Sequence, residues 1–127
     1  MFEININGNV YQFQFGMGFM REINKIIGKP VDGLPDVKQN IGLQWMVARL
    51  IDGDIEAMVD VLEIANKNQS PRVSREKLDS YIDDENTDID SLFESVLDFL
   101  KNSNATKKVA VEVLEMVEAE KKKQAEK

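Results

Sequence analysis

The sequence predicts an α+β protein, predominantly α, in which an N-terminal β-hairpin packs on a bundle of about five to six helices. Three observations carry that expectation. The opening stretch alternates apolar and polar side chains around an Asn-Gly pair, whereas from Met17 onward the apolar residues recur at helical spacing. With 127 residues and 43% apolar content, the chain has room for one modest core. The expected organisation is a single domain over residues 1–120, with the hairpin at 2–15, the helical body at 17–118 and a flexible Lys-rich tail at 121–127.

In the hairpin, Phe2, Ile4 and Ile6 point one way and Glu3 and Asn5 the other; Tyr11, Phe13 and Phe15 then alternate with Gln12 and Gln14. Asn7-Gly8 accepts the positive φ angles of a type I′ turn. A two-stranded hairpin is marginal alone, so its aromatic face must lie on something, and the helix starting near Met17 is the nearest support. That helix carries Phe19, Met20, Ile23, Ile26 and Ile27, and Gly28-Lys29-Pro30 stops it. Val31 to Lys38 reads as a loop.

From Ile41 to Ile51 apolar residues spread around most of the circumference, with Trp45 in the middle, which predicts either a central helix or one with an uncovered face. Asp54 is placed to cap a third helix bearing Ile55, Met58, Val59, Leu62 and Ala65, and Ser74 to cap a short fourth with Leu78, Tyr81 and Ile82. Thr87 and Asp90 resemble a capping pair before the stripe Ile89, Leu92, Phe93, Val96, Leu97 and Leu100. The last helix has Val109, Ala110, Val113, Leu114 and Val117 on one face and Glu112, Glu115 and Glu118 on the other; beyond it the lysines lack an apolar anchor.

Composition removes whole classes of function. Without Cys there is no thiolate nucleophile or disulfide, and without His the commonest general base and transition-metal ligand are gone. Sixteen basic against 23 acidic residues leave a net charge of −7, which argues against a nucleic-acid surface. No apolar stretch approaches a membrane span and no signal-peptide pattern opens the chain, so bacterial cytoplasm is the expected location.

Candidate chemistry is weak where it occurs. Asp83 to Glu94 has the length of a calcium loop, but the position needing Gly is Asp88, so the acids read as a solvated helix junction. The pairs Asp52/Asp54 and Asp83/Asp84 lie in polar turns and read as exposed carboxylates. No cofactor, metal or catalytic residue is assigned. The remaining candidates are surfaces for another protein: Trp45, Met46 and Met58, the methionines filling the core by default or else lending a deformable surface that repacks around different helices, and Val109, Val113 and Val117, which either close the core or, if the last helix detaches, present a groove.

The order Met1-Phe-Glu-Ile-Asn-Ile-Asn-Gly8, then Tyr11 to Asn24, followed by Leu50-Ile-Asp-Gly-Asp-Ile-Glu-Ala-Met-Val-Asp60, Ile89 to Glu94 and the Lys-rich end, resembles tail assembly chaperones of long-tailed phages and prophages of Gram-positive bacteria. That resemblance implies a non-enzymatic chaperone that binds the tape measure protein and keeps it soluble until the tail tube polymerises. It also implies the major tail tube protein as a second candidate partner, self-association along a long client, and absence from the mature virion. The alternative is a structural adaptor retained in a phage tail or other complex.

Overall fold

In the computed structural model, which describes residues 2–27 and 41–125, two strands and six helices follow one another as β1 (Phe2–Ile6), β2 (Asn9–Phe13), α1 (Met17–Ile27), α2 (Ile41–Ile51), α3 (Ile55–Asn66), α4 (Arg75–Asp83), α5 (Ile89–Asn102) and α6 (Lys107–Ala125). The expected stop at Gly28-Lys29-Pro30 and the loop after it lie outside the described residues.

The strands pair antiparallel with Ile6 opposite Asn9, and Asn7 and Gly8 take φ of 53° and 88°, as a two-residue turn with the right-handed strand twist requires. Phe2, Ile4, Ile6, Tyr11 and Phe13 are all buried, with Phe15 just beyond the strand. Their main support is α3, not α1. The Gln14 N–H donates to the Ala65 carbonyl at 2.8 Å, and the Asn66 amide at the end of α3 donates to the Gln12 carbonyl at 2.9 Å. Proximity in sequence favoured α1, but α3 ends in backbone and side-chain groups that complete the strand's hydrogen bonding. α1 meets the hairpin through Phe15 and Phe19, edge to face at 5.1 Å, while Phe99 of α5 closes on Phe2 at 5.0 Å.

Asn66 is fully buried and uses its whole amide. Nδ2 donates to the carbonyls of Gln12 and Pro71 (3.2 Å), and Oδ1 accepts from the Val73 N–H at 2.6 Å and from Arg72 Nη1 at 3.0 Å. One side chain thus ties strand, helix and the following connection together.

α2 is central, packing against α1, α3, α5 and α6. Its approach to α1 is set by Gly42: a Cβ there would lie 2.5 Å from the Ile23 carbonyl oxygen and 2.8 Å from the Asn24 Cα. Beside it, Asn24 Oδ1 accepts the Leu43 N–H at 3.0 Å, satisfying a donor that the first turn of α2 leaves unpaired. Gly42→Ala should therefore destabilise the fold despite the ~1 kcal/mol that alanine gains in a helix, because overpacking against backbone costs about 1–3 kcal/mol. A melting temperature equal to or above that of the parent would show that α1 and α2 stand further apart.

The caps expected of Asp54 and Ser74 form, each accepting a backbone N–H three residues on. At α5 the cap is one residue later than the sequence indicates. Thr87 donates its N–H to the Asp84 carbonyl in a preceding turn, so the extended residue is Asp88, whose carboxylate accepts from the Ser91 N–H at 3.0 Å and the Ser91 hydroxyl at 2.8 Å. These two bonds hold the Asp88 carboxyl below the usual carboxylate range. Outside the core, Arg75 bridges Glu56, Asp60 and Glu63, fastening α4 to the outer face of α3. α6 continues as helix to Ala125, where the sequence suggests a loose tail; residues 118–124 are all exposed, and their Glu, Lys, Gln and Ala favour helix without burial.

Candidate protein-binding surface

On α2, Leu43, Met46, Val47 and Leu50 form the buried face. At 100° per residue Trp45 falls on the opposite side, and the residue is 56% exposed. The helix is therefore both central and partly uncovered, which accounts for the apolar spread along it. A single exposed tryptophan is not a patch, but it is the residue type most often found as a binding anchor.

The other candidates are placed differently. Met46 and Met58 fill the core, and Val109 and Val113 are buried where α6 closes on α2 and α5; Val117, a turn further, is half-buried. Their methyl and thioether groups are satisfied by internal packing, so the structure does not gather them with Trp45 into one exposed surface. The valine face closes the core in this conformation.

A concavity that sequence reasoning missed lies between α5 and α6. Its floor is Leu97 and Leu114, both half-buried, and its rim is Glu94, Ser95, Asp98 and Lys101, around a shallow, solvent-open space of about 490 Å³. Both leucines were legible as members of apolar stripes. The usable signal was their position at the flank of each stripe: Leu97 stands about 100° from the centre of Leu92, Val96 and Leu100, and Leu114 similarly from that of Val109, Ala110 and Val113, by ~100° per residue. A flank residue is covered only if a neighbour reaches it.

Two other clefts are less suited to a partner helix. One of about 330 Å³ runs past Phe2, Phe13, Phe15 and Phe99, and its aromatic rings are largely engaged with one another. The other, about 120 Å³ at the start of α1, is crossed by the ion pair of Lys67 and Glu22 at 3.0 Å. The Lys67 hydrogen bond holds the Glu22 carboxyl below its ordinary value.

Of the paired carboxylates singled out in the sequence, Asp54 and Asp84 serve the backbone. Asp54 caps α3 and accepts from Arg49 Nε at 2.8 Å, which, with the Ala57 N–H, keeps its pKa low. Asp84 accepts from the Asn86 N–H and Asp88 caps α5. Among the described residues, no three acidic side chains converge to hold a metal ion. No described helix is long and apolar enough to cross a membrane.

Comparison with known proteins adds one finding. A family model described as phage tail assembly chaperone protein matches residues 3–115, nearly the whole chain. No curated protein and no solved structure matches.

Proposed function

Since this chain belongs to the phage tail assembly chaperone family, we propose that it binds the tape measure protein and keeps it soluble until the tail tube polymerises. The family match over residues 3–115 is the observation that carries this reading. Its role is to cover apolar helical surface rather than to catalyse, and it acts in the host cytoplasm and is left out of the mature virion. The major tail tube protein is the partner that displaces it, and several copies serve one long client. The net charge of −7 supports the role physically, since like-charged complexes stay dispersed. Trp45 serves as one anchor for the client.

The test is co-expression with a tape measure protein from the same genome, measuring how much of it stays soluble and co-purifies. Trp45→Asp is expected to lower stability by about 1–3 kcal/mol, the contribution of the covered part of the side chain, and to leave the fold intact. It should nevertheless lower co-purification clearly. If the tape measure protein is equally soluble alone and never co-elutes, or if the chain is found in purified virions, the retained-adaptor reading replaces this one.

A further inference from the structure

We propose that the groove between α5 and α6 receives an amphipathic client helix whose apolar stripe is flanked by lysine or arginine; this deepens the chaperone reading and rests on it. Three features support that occupant. The floor is apolar and unfilled by the chain's own side chains, since Leu97 and Leu114 remain half-buried while the residues at the centre of each stripe are buried. The α5 wall carries Asp90, Glu94 and Asp98 at successive turns, all exposed, and none of them forms an ion pair among the described residues. Lys101 stands at the far end of that wall. The α6 wall extends past the core, because residues 118–124 continue the helix with no burial for about 10 Å, at ~1.5 Å per residue.

A helix laid in this groove would bury its apolar stripe on the two leucines. Its flank against α5 would meet a line of negative charge, which favours Lys or Arg there and disfavours Glu or Asp. Exposed ion pairs contribute little each, so the charge selects the partner while leaving the complex weak enough to be displaced.

The experiment uses the full chain and two synthetic helical peptides sharing one leucine-alanine stripe, flanked by Lys in one and by Glu in the other. Binding is followed by fluorescence anisotropy at low and high salt, and the contact surface by amide shifts in NMR spectra. The Lys-flanked peptide should bind about tenfold more tightly at low salt, as two or three exposed pairs allow, and should shift amides of 94–101 and 111–117. The double variant Glu94→Lys/Asp98→Lys, both sites being exposed, should melt like the parent and reverse the preference. Equal affinity for the two peptides, shifts confined to the Trp45 face, or an unchanged preference in the double variant would overturn the proposal. So would a parent that sediments as a dimer and a double variant that sediments as a monomer, because the occupant would then be a second copy. Co-expression separates the two readings. A client held equally well by the parent and the double variant removes the groove and leaves the chaperone role, whereas a client that the parent fails to hold removes the chaperone role.

Discussion

Asn66→Ala is expected to be among the most damaging single substitutions in this protein, lowering stability by about 2–4 kcal/mol. The side chain is fully buried and satisfies four partners, three of them backbone groups. Removing it strands the buried Val73 N–H, which costs ~1–3 kcal/mol, and unpairs the part-buried Gln12 and Pro71 carbonyls, which water reaches at smaller cost. Water entering the vacated space recovers part of that cost. Against a total stability of about 5–15 kcal/mol for a domain, the loss should appear as a large fall in the midpoint of chemical denaturation. Asn66→Asp keeps both acceptor positions but loses both donations and turns a carboxylate toward two carbonyl oxygens. It should be similarly damaging, although Arg72 offsets part of the charge. A shift below ~1 kcal/mol for Asn66→Ala would mean that the hairpin is held by apolar packing alone.

The second large effect is expected at Val113→Asp. Val113 is 7% exposed at the closure of α6 over the core, so an aspartate there is an uncompensated buried charge, costing about 3–5 kcal/mol. The chain can relieve it by releasing α6, which lacks further support beyond Val117. Hydrogen exchange distinguishes the routes. Local release makes the amides of α6 exchange fast while those of β2 and α3 stay protected, whereas global loss raises exchange everywhere. A variant with parental melting and exchange would show that α6 does not close the core in solution. Trp45→Asp and Val113→Asp therefore report different things, one a surface and the other a closure.

The parts of this fold that were legible in the sequence are those governed by local chemistry. Asn7-Gly8 dictated the turn, alternation identified the buried face of the hairpin, and Asp54 and Ser74 marked helix starts with side chains that can accept an N–H. What escaped was decided by partners distant in the chain. The support of the hairpin came from α3 because Ala65 and Asn66 present hydrogen-bonding groups to Gln12 and Gln14, a pairing that no periodicity reveals. The cap of α5 moved to Asp88 because Thr87 was already engaged in a turn. At the surface, Trp45 was identifiable from an over-apolar helix, whereas Met46 and Met58 look the same in sequence and lie inside. The Leu97–Leu114 groove depends on the angle at which two helices diverge, and stripes alone do not give that angle.

The anchoring of β2 to Asn66, and of Asn66 to Val73, also orders events during synthesis. Residues 2–13 leave the ribosome before their docking groups, which are the end of α3 and the connection that follows it. At roughly 5–20 residues per second, several seconds pass before those groups emerge. During that interval the five aromatic and aliphatic side chains of the hairpin's inner face lack the α3 surface that is their main support in the fold. The nascent chain of an assembly chaperone thus passes through an interval in which apolar surface of its own stands uncovered.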